Sequence, residues 1–451
     1  MKSLPLPRFW EIPWFLIGLA VSRLKTLDAI AARYPWGVQL PLPGRAVMLW
    51  IAPEAADHVL QKNAGNYNRS FDSKFLADLM GDGLLTATIE RWREYRKAVQ
   101  PVFHRGMILS HGPTMQKKLS RHLDGWTARG AKDFDLADDL TDLAITVIGL
   151  TVFDFDLESK AADISSALVL AQRYIYGRAM DPFNIQGRLV KLGIRTPGRK
   201  RFEKAARLLK EQAETIMAAE LKNGPGRAFF STLRNELSAE AAVSQALAVL
   251  LAGHETIAVA LFWTLFELSK HPEWNDRIRA EMNTHREQIN REGLTSEVLA
   301  QLRSLRAVVE ESLRLRSPVW SVGREAIADD VVGGVTVRAG STHMISPYAT
   351  QRCSKYWTQR KADPKVFHPD PEQLPSSNPA YFPFSRGPRR CVGEQFALQE
   401  LMLALALIVD RFDIQFHWTA PDVPASAMIT VRPNRKVRVT ATARSYRPSH
   451  S

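Results

Sequence analysis

Phe384 to Ala397 reads FSRGPRRCVGEQFA, which sets one of only two cysteines in a 451-residue chain between glycines and directly after two arginines. That cysteine, Cys391, lies just before EQFALQELMLALALIVDRF, Glu394 to Phe412, an apolar run that predicts a helix. A sulfur at a helix N-terminus meets unpaired backbone N–H groups and the positive end of the helix dipole. Nearby arginines add to that field, so the pattern predicts a favoured thiolate. Gly387 and Gly393 let the backbone turn sharply and let a bulky planar partner come close to it. A thiolate on such a loop suits a nucleophile, a structural metal ligand or a haem ligand. No local Cys/His signature of a cysteine protease supplies a base for the first. Neither a second nearby cysteine nor a CxxC pair supplies the roughly four ligands of a zinc site. As a half-buried structural residue, Cys391 would leave the glycines and arginines around it unexplained.

Composition bounds the rest. With 45% hydrophobic and 24% charged residues, the chain is an ordinary globular protein with a large core, which excludes disorder. Two cysteines allow at most one bridge, a sparse framework for a secreted chain of this size, so a reducing, cytoplasmic compartment is expected. The run Pro13 to Val21, PWFLIGLAV, is far shorter than the roughly 20 apolar residues of a spanning helix. GLAVSRLK after it offers no clear small-x-small cleavage site. No membrane span is expected, and residues 1–35 are read as an N-terminal segment suited at most to peripheral attachment at a surface. The formal charge of +13 would suit nucleic acid, an anionic membrane or an acidic protein. The basic residues are dispersed, with no basic block and no zinc-finger or homeodomain pattern, so nucleic acid is set aside.

No internal repeat or long linker divides the sequence, and residues 36–451 are read as one domain. The first quarter mixes helices with strand-like pieces such as GRAVMLWIA, Gly44 to Ala52. Asp138 to Leu315 reads as helix after helix, broken at KNGPGR, Lys222 to Arg227. After Pro318 the pattern turns to β. VVGGVTV, Val331 to Val337, predicts a hairpin with a Gly-Gly turn, and MITVRPNRKVRVTA, Met428 to Ala441, predicts another around Pro433-Asn434. A proline-rich loop, Lys361 to Arg390, lies between them.

Phe384-x-x-Gly387-x-Arg389-x-Cys391-x-Gly393 resembles the haem-binding signature of the cytochrome P450 superfamily, here of soluble, bacterial type. The resemblance implies the mainly α P450 fold with a smaller β region. It implies haem b between the Ser238 to Lys270 helix and the cysteine loop, with Cys391 as ligand of the iron, Phe384 beside it and Arg389 on a propionate.

Other segments resemble the family's motifs in the family's order. VLLAGHETIA, Val249 to Ala258, interrupts the long helical stretch and resembles the oxygen-activating segment. A zinc HExxH would need a histidine at position 258, which is alanine. The resemblance implies that Ala252 and Gly253 leave room over the iron, that Thr256 hydrogen-bonds dioxygen and that Glu255 feeds protons. Ile257, where the family often has a second threonine, is expected to affect local packing or substrate shape more than proton delivery. EESLRLRSP, Glu310 to Pro318, places Glu311 and Arg314 on one helix side. Alone this would be a solvated ion pair; in this place it resembles the ExxR motif that locks the haem-side core. The family's third member, an arginine in the proline-rich loop, is missing from FHPDPEQL, Phe367 to Leu374, which has Pro371 or Gln373 there. ERWREYRKAVQPVFH, Glu90 to His104, resembles the WxxxR helix, with Trp92 and Arg96 able to reach one propionate. Arg324 in SVGREA is either another propionate partner or a surface arginine at a strand start. The resemblance runs from about Trp36 to Arg438.

It implies a monooxygenase that activates dioxygen and hydroxylates or epoxidises an apolar substrate such as a fatty acid or terpenoid. No fused flavin or ferredoxin module is read, so NAD(P)H electrons are expected through a separate ferredoxin or flavodoxin and its reductase, docking near Arg386, Arg389 and Arg390. A peroxide-driven or isomerising haem-thiolate enzyme and a non-catalytic haem or gas sensor are the alternatives. Family topology implies a pocket lined by Phe71, Phe75, Leu79, Leu247 to Ala252, Val319 to Val322 with Trp320, and Ala425 to Met428.

Overall fold

A computed structural model of the chain describes residues 3–40, 46–70, 73–128, 130, 133–179, 196–222, 229–358 and 363–444. Among its helices are α1 (Ile12–Val21), α2 (Arg23–Arg33), α3 (Ile89–Val99), α4 (Arg105–Ala128), α5 (Leu136–Val152), α6 (Ala161–Ala179), α7 (Pro197–Lys222), α8 (Ala239–Lys270), α9 (Arg303–Leu315) and α10 (Glu394–Arg411). The mainly α architecture with smaller sheets is the one expected. α7 ends at Lys222, and the rest of the KNGPGR break lies outside the described residues.

α8 organises the core. Ser238 caps it by accepting from the Ala241 N–H at 3.3 Å, and it stops where His271 leaves helical geometry before Pro272. α5, α7, α9 and α10 all pack on it. Among the described residues it is the one helix long and apolar enough to cross a membrane, and 83% of its most apolar window is buried inside the protein, as befits a core helix. α8 runs unbroken through VLLAGHETIA, so the expected interruption is absent. The Thr256 hydroxyl donates to the Ala252 carbonyl at 2.7 Å, a bond back to residue i−4 that a continuous helix accommodates. A Cβ at Gly253 would lie 2.4 Å from Ile148 Cδ1, so its smallness serves the close approach of α5.

The β regions lie at the periphery. Strands β1 (Gly37–Leu40), β2 (Val47–Trp50), β3 (Tyr67–Arg69), β5 (Val322–Ala326) and β8 (Thr342–Ile345) form one sheet in the order β1-β2-β8-β5-β3, with only β2 and β8 parallel. β4 (Phe134–Asp135), β12 (Arg438–Ala443) and β9 (Phe412–Phe416) form another. β6 (Asp330–Val332) and β7 (Val335–Val337) make the predicted hairpin. Gly333 and Gly334 turn it with φ of 55° and 82°, the left-handed geometry that favours glycine. The second predicted hairpin is different. β10 (Ala425–Ala427) pairs with β11 (Val431–Pro433) around Met428 to Thr430, while β12 pairs with β4 and β9. Pro433-Asn434 is therefore not the turn. Pro433 sits at a strand end, where its missing N–H leaves no ladder bond unmade.

At the N-terminus, Leu4 and Phe15 are buried, whereas Phe9, Trp10, Trp14, Ile17 and Val21 are exposed. α1 is thus docked by one side and apolar on the other.

α10 buries Phe396, Leu401, Leu403 and Ala404 and, with them, Glu400. Burial alone pushes the Glu400 carboxyl from 4.5 up to about 8. A carboxyl raised on folding favours the folded state fully below its unfolded value of 4.5, and that contribution is lost as pH rises towards 8. Glu400→Gln should therefore match the wild-type melting temperature near pH 4.5 and exceed it progressively up to pH 8. A difference that does not grow over that interval would contradict this burial.

Candidate active site

The cysteine loop is shaped by backbone contacts before any side chain acts. The Cys391 N–H donates to the Phe384 carbonyl at 3.0 Å, and the Arg390 N–H donates to the Gly387 carbonyl at 3.0 Å. Gly387 has φ of 69°, and a Cβ there would lie 2.0 Å from the Leu60 carbonyl oxygen. Glycine is obligatory at that point. Gly393 precedes α10 with ordinary φ, and a Cβ there would meet only the Phe103 ring at 3.6 Å. The chain's own packing does not demand glycine at 393.

Cys391 is solvent-accessible, yet enough protein surrounds it that burial pushes its thiol up. The Gly393 amide, Arg96 and Arg390 pull the other way, and Glu394 adds to the rise. The expected thiolate is thus not a property of the polypeptide alone, because desolvation outweighs the helix end and the arginines. Arg390 is also partly neutralised by its ion pair with Glu394. A cation bonded to the sulfur is what would remove the proton.

Three predicted residues converge beside this loop. Arg96 of α3 donates through Nη1 to the Arg390 carbonyl at 2.8 Å. Arg389 lies over the Trp92 ring at 5.2 Å. Both terminal nitrogens of Arg389 are buried without a hydrogen-bond partner, and burial pulls its guanidinium down to about 10. A buried, unpaired cation is costly, so this one awaits an anion. Arg324, on β5 opposite Arg69 and His343, is only 4% exposed, which removes the surface alternative.

On α8, Leu250, Leu251, His254 and Glu255 are buried, while Ala252 between them is exposed. The helix therefore leaves the small Ala252 uncovered within an otherwise largely buried stretch. Glu255 Oε1 accepts from Arg432 Nη1 at 3.2 Å, and Oε2 is buried without a partner. Ile257 packs in the core, as expected. Desolvation keeps the wholly buried His254 ring below its usual range; its Nδ1 bonds the Leu250 carbonyl at 2.8 Å, and its Nε2 has no partner. The open Ala252, the accessible sulfur and the unpaired Arg389 fit haem with its iron, hydrophobic faces and carboxylates.

Glu311 and Arg314 on α9 are both 0% exposed and pair through two prongs, Nε to Oε2 at 2.7 Å and Nη2 to Oε1 at 2.9 Å. Among the described residues, backbone groups meet both members of this pair. Arg314 Nη1 donates to the carbonyls of Gln351 and Pro364 at 2.7 and 2.6 Å, and the His368 N–H donates to Glu311 Oε1 at 3.0 Å. The loop at Pro371 is held from α9 instead, where Arg303 Nη2 donates to the Pro371 carbonyl at 3.0 Å.

Of the implied pocket residues, Trp320 and Met428 meet, the indole N–H donating to the Met428 carbonyl at 2.7 Å. Val319 is half-buried beside Trp320. Phe75 is half-buried under the Arg178 guanidinium at 4.9 Å. Phe71 lies outside the described residues. Arg432 carries no signal in the sequence reading, which placed it beside the expected Pro433-Asn434 turn with no partner.

Comparison with known proteins agrees with this geometry. The family model described as Cytochrome P450 matches residues 2–441. Cytochrome P450 4F6 of Rattus norvegicus is 30% identical, covering 75% of this chain and 68% of its own. Leukotriene-B4 omega-hydroxylase 3 of Mus musculus is 27% identical over 74% of this chain and 68% of its own. Protein LUTEIN DEFICIENT 5, chloroplastic, of Arabidopsis thaliana is 25% identical over 87% and 69%.

If Arg389 is kept for an anionic partner, Arg389→Leu should act oppositely on the two states of the protein. Without cofactor the variant should melt higher than wild type, since it buries no unpaired cation; with haem added it should retain less. A variant destabilised without cofactor, or holding haem as tightly as wild type, would show that Arg389 serves the fold alone.

Proposed function

As a member of the cytochrome P450 family the chain is an oxidoreductase of the monooxygenase type, and we propose that it uses haem b to hydroxylate a long-chain apolar substrate, with electrons from separate proteins. The observation that carries this reading is Glu255 on α8, buried next to Thr256 with one carboxylate oxygen unpaired. A sensor or an isomerase has no use for a proton-carrying carboxylate there.

When bound, haem iron supplies the binding of dioxygen and its reductive cleavage, with NAD(P)H as the electron source. Cys391 would hold the iron through Sγ, while Arg389, Arg96 and Arg324 would hold the carboxylates. Thr256 Oγ1 already gives its proton to the Ala252 carbonyl, so its lone pairs are free to accept one. Glu255 brings protons into an apolar surround, and Thr256 orders them at the oxygen. The substrate class is inferred from the apolar pocket residues and from a relative named as an omega-hydroxylase. The electron donor is inferred to be an acidic ferredoxin or flavodoxin. Arg93 and Lys97, exposed on α3 beside Arg96, extend the basic face that would receive it, and Arg390 contributes less because Glu394 pairs it.

The exposed apolar surface of Phe9–Val21, with Trp10 and Trp14, suits peripheral attachment to a bilayer. Loss of vesicle cosedimentation on changing Trp10 and Trp14 to serine is its check, and unchanged binding would refute it.

Thr256→Ala should leave haem content intact while product per NAD(P)H falls and hydrogen peroxide accumulates. Positioned acid–base groups contribute about 10²- to 10⁴-fold, so the loss should be plain. Wild-type coupling in this variant would overturn the assignment of Glu255 and Thr256.

A further inference from the structure

Glu255 is an expensive residue to bury, and its only charged partner among the described residues comes from the far end of the chain. Arg432, the middle residue of β11, reaches Glu255 Oε1 through Nη1 at 3.2 Å. One prong at that distance is a loose contact for a guanidinium and a carboxylate, which in a strong pair meet twice at about 2.7–2.9 Å. The bidentate Glu311–Arg314 pair shows what a locked arrangement looks like in this same fold. Arg432 thus holds one carboxylate oxygen and leaves the other, Oε2, buried and unpaired.

The hairpin that carries Arg432 is itself firmly seated. The Val431 N–H donates to the Pro318 carbonyl at 2.9 Å, and the Trp263 indole on α8 donates to the Val431 carbonyl at 2.6 Å. Four residues before Arg432, the Met428 carbonyl accepts from Trp320. The turn between them holds Thr430, whose buried hydroxyl has no partner. One short hairpin therefore touches both the implied substrate wall, at Trp320 and Met428, and the acid of α8. The Arg432 side chain keeps 18% of its surface exposed, so the pair lies at the edge of the core.

We propose that Arg432 is the positioning residue of Glu255: it fixes one carboxylate oxygen so that the other carries protons, and it ties that acid to the Met428–Thr430 turn of the substrate wall. Arg432 transfers no proton. Each proton that leaves Glu255 for oxygen is replaced by one from water, and the charge of the pair is restored within a turnover. Electrons come from NAD(P)H through the partner proteins already inferred. The proposal rests on the reading of Glu255 as proton donor, and the test separates the two.

Arg432→Leu, Arg432→Lys, Glu255→Gln and the Glu255→Gln/Arg432→Leu double variant are compared in the haem-loaded protein for product and hydrogen peroxide per NAD(P)H, and for melting temperature. Glu255→Gln should cut product per NAD(P)H by about 10²-fold, the lower end for a positioned acid–base group. Arg432→Leu should uncouple in the same sense at unchanged haem content, Arg432→Lys should restore most of the coupling, and the double variant should be no worse than Glu255→Gln alone. In melting temperature the two single losses should not add, as befits residues in contact. If Glu255→Gln uncouples while Arg432→Leu keeps wild-type coupling, or if Arg432→Leu lowers only the melting temperature, Arg432 is structural and the proposal fails on its own. If Glu255→Gln itself keeps wild-type coupling, the proton-donor reading fails and this proposal with it.

Discussion

The buried pair of Glu311 and Arg314 is the fixed point from which the cysteine is positioned. Taking both charges out of water costs several kcal/mol per ion by general experience, and attraction repays that only when every prong is used. Here they are. Besides the two-pronged contact, Arg314 satisfies carbonyls of Gln351 and Pro364, and Glu311 accepts from the His368 amide. From Gln351 the order continues: its side-chain oxygen accepts from the Phe382 N–H at 2.9 Å, the Ser385 N–H donates to the Phe382 carbonyl, and the Cys391 N–H donates to the Phe384 carbonyl. A line of hydrogen bonds thus runs from an ion pair in α9 to the backbone of Cys391. Trp357, 4.9 Å from the guanidinium, closes the remaining face.

What this frame holds in place is not optimised for the polypeptide alone. Arg389 is buried without a partner, Glu255 keeps an unpaired oxygen, and the Cys391 thiol is pushed up by burial. Each costs stability in isolation, and all three sit on the elements that the family resemblance assigns to one cofactor. Contrast Asp330, where Tyr67, His58 and Asn63 all donate to one carboxylate oxygen within 3.0 Å. That cluster is satisfied internally and holds the β3–β6 corner, whereas Arg389 beside Cys391 and His254 and Glu255 on α8 each keep a buried polar atom without a partner.

The sequence was most legible where local chemistry and tertiary need coincide. Gly387 was read as a tight turn, and it is the position where any side chain would strike Leu60. The Gly333-Gly334 hairpin and the Ser238 and His271 ends of α8 followed from the same kind of local rule. Misreadings arose where a distant neighbour decides. Pro433 ends a strand whose partner precedes it. The thiol's rise reflects surrounding protein mass that no local pattern encodes. Arg432 was invisible for the same reason: nothing near it in sequence announces that its partner lies 177 residues away. The loss of the third arginine from the proline-rich loop was legible, but the His368 N–H that donates to Glu311 was not, because a backbone amide leaves no trace in residue identity.

The claim on which all of this turns is that Sγ of Cys391, whose backbone is held by that line of hydrogen bonds, is the ligand of haem iron. The direct measurement is the reduced carbon-monoxide difference spectrum of the haem-loaded protein beside that of Cys391→Ser. A thiolate-type band in the wild type, absent from a Cys391→Ser protein that still binds haem, is the expected result. Persistence of that band in the variant, or a wild-type spectrum of the imidazole type, would contradict it.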